Sequence, residues 1–120
     1  MFKKTLVLGA SLKSNRYSNL AIHRLVNHKQ SVVAIGLREG EVSGIKIETD
    51  LIDFDDIDTI TLYLNPARQQ QYYEYIVSLQ PKRVIFNPGT ENPEFYSILK
   101  QANIEAEVAC TLVLLSTNQY

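Results

Sequence analysis

A strand that runs without a polar break into a glycine turn constrains this chain more than any other feature. Leu6-Val7-Leu8 leads into Gly9-Ala10-Ser11, and a polar loop follows that ends in Arg16-Tyr17. Strand, small-residue turn and helix are the parts of a β-to-α crossing in an open sheet, where a helix N-terminus presents N–H groups to an anion. Further apolar segments rich in β-branched residues lie at 31–37, 59–64 and 83–86, with another between 107 and 115. Residues 45–48 suit a short edge strand. Helical patterns separate several of these segments, so the order predicts an α/β fold with a mainly parallel sheet of five to six strands. Near-continuous apolar runs such as Val84-Ile85-Phe86 suit strands covered on both faces, which puts helices on both sides.

The helices carry their own punctuation. Asn92-Pro93 supplies a capping side chain followed by a proline at the first helical position. Phe95, Ile98, Leu99 and Ala102 then fall at i, i+3, i+4 and i+7, and Asn103 can close the helix in a left-handed conformation. Asn65-Pro66 repeats the start signal, with Tyr72, Tyr75, Ile76 and Leu79 as the buried stripe before Pro81. A first helix begins near Ser18.

With 120 residues the chain is expected to be one domain, 1–120. Twelve basic and 13 acidic residues give a formal charge of -1, which supplies no general field for nucleic acid or a membrane surface. Any anion must be held by a local arrangement. Cys110 is the single cysteine, so no internal disulfide forms, and with no signal peptide or membrane-length apolar run the expected location is cytoplasmic.

The loop from Gly9 to Tyr17 lacks the later glycines of a G-x-G-x-x-G dinucleotide fingerprint, and it is long enough to wrap around a group. Gly9, Ala10 and Ser11 would let backbone N–H groups approach phosphate oxygens, Ser14 and Ser18 offer hydroxyls, and Lys13 and Arg16 offer charge. The same turn serves equally as an ordinary connection with solvated side chains. After the second strand, Gly36-Leu37-Arg38-Glu39-Gly40 stands where such domains contact a ribose or adenine. Glu39 would favour a free 2′-hydroxyl and Arg38 a ribose-borne phosphate, unless this is a charged hairpin tip leading to Ser43-Gly44. Leu64-Asn65-Pro66-Ala67 and Asn87-Pro88-Gly89-Thr90 end two inner strands, where they can present backbone to a ligand or only terminate strands and start helices. One cysteine and two histidines five apart make no zinc site. Asp53, Asp55, Asp56 and Asp58 read as a solvated turn that caps a short helix.

Taken in order, Gly9-Ala10-Ser11, Asn15-Arg16-Tyr17-Ser18, Gly44-Ile45-Lys46, Asn87-Pro88-Gly89 and the late Cys110 resemble the small stand-alone CoA-binding proteins. These are related to the CoA-binding domain of the succinyl-CoA synthetase α subunit. The resemblance implies a Rossmann-like fold that binds coenzyme A or an acyl-CoA across the carboxyl edge of the sheet. It implies phosphate contacts from Gly9, Ala10, Ser11, Arg16, Tyr17 and Ser18, an adenosine side at Gly36, Leu37 and Arg38, and a flanking wall at Leu64, Asn65 and Pro66, with the turn Asn87, Pro88 and Gly89 beyond. Where relatives carry an arginine-proline or double-proline turn, this chain has Leu64-Asn65-Pro66-Ala67. It also lacks an Asp-Arg before its cysteine, having Val108-Ala109-Cys110. The chain has no room for the second domain that completes acyl-CoA chemistry in the ligase relatives, so binding without catalysis is expected. Two other classes stay open. One is an enzyme, either an NAD(P)-dependent oxidoreductase or an acyl transferase using Cys110. The other is a ligand-free scaffold acting through protein contacts, for which Tyr73 and the apolar tail 112–115 offer a homodimer seam.

Overall fold

The computed structural model describes residues 3–120. Strand β1 (Lys4–Ala10) is followed by helix α1 (Tyr17–Asn27) and strand β2 (Ser31–Gly36). A hairpin of β3 (Gly40–Val42) and β4 (Ile45–Glu48) comes next, then β5 (Thr59–Leu62). Helix α2 (Pro66–Gln69), a 3-10 turn (Gln70–Tyr72) and α3 (Tyr73–Leu79) lead to β6 (Arg83–Phe86), α4 (Pro93–Gln101), β7 (Glu105–Val108) and α5 (Thr111–Ser116). The sheet order is β3-β4-β2-β1-β5-β6-β7, parallel except for the β3–β4 pair. The fold is α/β and Rossmann-like, with seven strands among the described residues where five to six were expected. The extra strand is β3, whose turn at Ser43-Gly44 adopts positive φ at both residues, the geometry that matches the twist of a two-residue hairpin.

Side chains on successive strand residues point to opposite faces, and the two faces build two cores. Leu6 and Leu8 of β1 join Ile60, Leu62, Val84 and Phe86 against Ile76, Phe95 and Leu99 of α3 and α4. Val7 lies on the other face with Ala34 and Ile47 against Ile22 and Leu25 of α1 and Leu115 of α5. Helices therefore cover both sides.

Several start and stop signals act as their residue types dictate. Asn92 and Asn65 accept backbone N–H bonds from Phe95 and Arg68, and Asn103 takes φ 60. Three expectations are corrected. The apolar run after Cys110 is helix α5, not part of the last strand: Thr111, Leu114 and Leu115 share the buried i, i+3, i+4 face and Val113 points to solvent. The last strand lies earlier, at the edge, where alternation in Glu105-Ala106-Glu107-Val108 carries little apolar weight. The aspartate-rich segment before β5 forms no helix. Asp56 sits at φ 58, while Ile57 is buried and Phe54 packs against the core, so anchoring overrides local helix formation. In the helical stretch 66–79, the 3-10 turn separates α2 from α3.

Tyr73 stacks on Phe95, with ring centroids 4.2 Å apart, and Leu114 and Leu115 are buried, so those residues already pack within the chain. Among the described residues no helix is long and apolar enough to cross a membrane.

Phe95 is fully buried between Tyr73 and Phe86. Its replacement by Ala is expected to lower unfolding free energy by about 3–5 kcal/mol in urea titration, because the core can refill only part of the void. Val113→Ala, on an exposed position, should stay within about 0.5 kcal/mol of the parent.

Candidate functional site

From β1 the chain moves outward to β2, β4 and β3, then returns past β1 to β5, β6 and β7. The reversal between β1 and β5 is where the connections diverge to opposite sides, and a cleft opens outside the carboxyl ends of the strands. A cleft of about 700 Å³ lies there. Its floor includes Gly9 and Ala10 from β1, Ile35 and Gly36 from β2, and Tyr63 just beyond β5.

Two glycines permit the strand ends to converge. Gly9 has φ 96, and a Cβ there would lie 2.9 Å from the Tyr63 carbonyl oxygen. A Cβ on Gly36 would lie 2.3 Å from the carbonyl oxygen of Ala10. Backbone in both cases occupies the space of the missing side chain, so neither position admits Ala without moving a strand end.

The loop after β1 is shaped by its own polar groups. The Lys13 N–H donates to Ser11 Oγ, buried Asn19 donates from Nδ2 to the Ser11 carbonyl at 2.9 Å, and Arg16 N–H donates to the Lys13 carbonyl. Helix α1 then begins at Tyr17 with no side-chain cap and no acid in its first turn. Three other helix starts are met by side chains: Asn65 caps α2, Asn92 caps α4, and Asn87 Oδ1 accepts the Thr111 N–H of α5 at 2.9 Å; α3 has no side-chain cap but continues directly from the 3-10 turn. The start of α1 thus combines no side-chain cap with no acid in its first turn, which leaves it able to receive an anion, and Tyr17 and Ser18 from that turn line the cleft.

Of the residues expected in a site, Gly9, Ala10, Ser11, Arg16, Tyr17 and Ser18 meet at one wall. Gly36, Leu37 and Arg38 stand at the β2 side, and Leu64, Asn65, Pro88 and Gly89 close the β5–β6 side. Pro66 and Asn87 are not among the lining residues. Pro66 is the first residue of α2, and Asn87 faces inward: its Nδ2 donates to Thr61 Oγ1 and the Leu62 carbonyl, at 2.7 and 2.8 Å. With Oδ1 also occupied, its amide is fully used within the protein. Glu39 and Cys110 also fall outside the lining, Cys110 being half-buried at the cap position of α5.

Leu12, Lys13, Arg68, Tyr63, Tyr72 and Thr90 complete the lining, and of these the residue pattern points to a ligand only for Lys13 and Thr90. Arg68 sits on the helix three residues after the Asn65 cap, a position that a start-signal argument reads only as structure. Lys13, Arg16, Arg38 and Arg68 are all exposed, and among the described residues none is in a salt bridge. The lining contains no aspartate, glutamate, histidine or cysteine. Four cations without a carboxylate, in a chain of net charge -1, make a local positive field suited to a ligand with several negative charges. Among the described residues no cluster of potential metal ligands occurs.

Tyr63 packs against the α1 side of the sheet, and its buried hydroxyl lies near the Thr61 and Thr111 hydroxyls, which bond to each other, without a well-formed hydrogen bond of its own. Burial pushes its pKa up to about 12, so the phenol is neutral at physiological pH.

The sequence model of the CoA binding domain family matches residues 3–116. A crystal structure of an uncharacterised protein is similar over 100% of this chain and 99% of that one, with 48% identity and a TM-score of 0.97. A hypothetical protein from Pyrococcus horikoshii OT3 has 26% identity and a TM-score of 0.85 over 97% of this chain and 83% of its own. The dinucleotide-forming acetyl-coenzyme A synthetase 1 of Ca. Korarchaeum cryptofilum shares the fold at 15% identity and a TM-score of 0.72, over 91% of this chain and 26% of that protein. No curated protein matches the chain.

Gly9→Ala should destabilise the fold by about 1–3 kcal/mol, measured by urea unfolding, because it combines positive φ with the Tyr63 carbonyl contact. Tyr63→Phe should change stability at neutral pH by less than about 1 kcal/mol, since the hydroxyl it removes makes no well-formed hydrogen bond. The parent should lose stability as pH rises above the ordinary tyrosine value of 10.0 toward about 12, where the unfolded phenol ionises first. Stability measured across that window should fall less steeply in Tyr63→Phe.

Proposed function

The chain belongs to the CoA binding domain family, and on that premise we propose that its cleft binds the nucleotide end of coenzyme A or an acyl-CoA. The carrying observation is the pairing of an uncapped α1 start with four cations and no carboxylate around one cleft. Coenzyme A offers a diphosphate and a ribose phosphate, and its pantetheine arm is neutral. In this reading the diphosphate lies against the backbone from Gly9 to Ser11 and the first turn of α1, with Arg16 closing over it. Arg38, which lines the cleft where Glu39 does not, faces the ribose phosphate. The pantetheine arm runs toward Leu64, Asn65, Pro88 and Gly89.

The protein acts as a binding module in this proposal. The cleft lining supplies no carboxylate, imidazole or thiol for general acid–base or nucleophilic work. Cys110 lies outside that lining and is half-buried, which does not support the acyl-transferase reading. The shortage of glycines after β1 likewise does not support a standard dinucleotide site.

Isothermal titration with CoA, dephospho-CoA, NAD, NADP and ATP tests the reading. CoA should bind most tightly, and Arg16→Ala should weaken it about tenfold or more without unfolding the domain. Arg38→Ala should cost CoA affinity and leave dephospho-CoA nearly unchanged. Equal indifference of the parent to all five ligands would end the proposal, and preference for NADP would transfer Arg38 to a 2′-phosphate.

A further inference from the structure

Hydrogen bonding between β5 and β6 ends at the pair Leu62 and Phe86. Beyond that rung the two chains separate into the loops that carry Leu64 and Thr90, both lining the cleft. One side chain rejoins them. Gln69, with no exposed surface, donates from Nε2 to the Leu64 carbonyl and to the Thr90 carbonyl, each at 2.8 Å. Its Oε1 accepts from Asn92 Nδ2 at 2.9 Å, and Asn92 Nδ2 also donates to Tyr73 Oη at 2.7 Å. The two amide protons and the carbonyl oxygen are all used, and the two acceptors belong to the two separate loops that form the β5–β6 side of the cleft.

A buried glutamine is costly unless every such bond is made, and an aliphatic residue would pack without that requirement. Met in its place would leave two carbonyls without this donor. Glu would set an acceptor against two acceptors. We infer that Gln69 is a positioning residue: its amide replaces the missing rung between β5 and β6 and sets the spacing of the two loops that form this side of the cleft. Thr90 is held a second time, through its N–H and Oγ1 to the Asn87 carbonyl, so its loop moves as a unit with the β6 end. The effect on ligand rests on the coenzyme A reading, whereas the effect on the loops does not.

Amide hydrogen exchange on ligand-free Gln69→Met tests the mechanical part. Exchange at Arg68 and Thr90, whose N–H groups bond to Asn65 and Asn87, should accelerate together by about tenfold while β1 amides keep their protection. Unchanged exchange, or equal acceleration through β1, would overturn the assignment. Calorimetry supplies the ligand part. CoA affinity should fall about fivefold or more, while adenosine 3′,5′-bisphosphate, which lacks the pantetheine arm, should stay within about twofold. Equal CoA binding by parent and variant would also overturn it. A parent that binds no CoA would remove the coenzyme A reading, with exchange alone then deciding the role of Gln69. Should Gln69→Met fail to fold, Asn92→Ser decides: serine keeps an N-cap acceptor but removes the donor to Oε1. Faster exchange in both loops of that variant supports the role, and parental exchange refutes it.

Discussion

Parallel pairing of β1 with β2 on one side and β5 on the other is the constraint from which the rest of the molecule follows. A strand flanked in this way must be apolar on both faces, and Leu6, Val7 and Leu8 are each almost completely buried. Chain connections leave its two sides in opposite directions, so they diverge at its carboxyl end and leave a cleft. Close approach of the strand ends then excludes a Cβ at Gly9 and Gly36, where backbone carbonyls fill the space. The glycine after the first strand is thus a packing requirement before it is a feature of any binding loop.

Where the sheet ladder stops, buried amides take over its work. Asn87 joins the end of β5 to the start of α5, and Gln69 joins the loops that follow β5 and β6. Each exchanges hydrogen bonds with water for bonds of fixed direction, so the gain in net stability is small and the gain in defined geometry is large. This also explains why Asn87 is structural: every group of its amide is satisfied inside the protein. At the opposite end of the strands, Arg83 bonds to Thr59 and Glu107 and lies 4.6 Å from the Tyr120 ring centroid, holding Tyr120 over the amino ends of the strands. That leaves the carboxyl edge as the place for ligand.

Charge is distributed with the same division. Lys46, Lys82 and Arg83 pair with Glu48, Asp58 and Glu107 away from the cleft, while the cleft cations face no carboxylate in its lining. A chain close to electrical neutrality therefore carries a strongly polarised site, which net charge conceals.

Local residue chemistry was enough to read the α/β order, the asparagine-proline helix starts, the left-handed Asn103 and most of the loop after β1. These depend on neighbours within a few positions: caps, positive φ and hydrophobic period act over one turn or one strand. The α5 helix is not legible in the sequence because four consecutive apolar residues do not distinguish a short helix from a strand, and Thr111 joins the buried face through long-range bonds to Thr61 and Asn87. Arg68 and Tyr72 could not be assigned to the cleft from spacing, since the 3-10 turn and the β5–β6 register decide which way that segment faces. The inward turn of Asn87 and the bridging by Gln69 likewise involve partners more than twenty residues distant. Sequence by itself determined which segments become strands and where their turns must be small. Tertiary structure alone decided which polar groups face solvent, because that depends on which distant donors and acceptors are already satisfied.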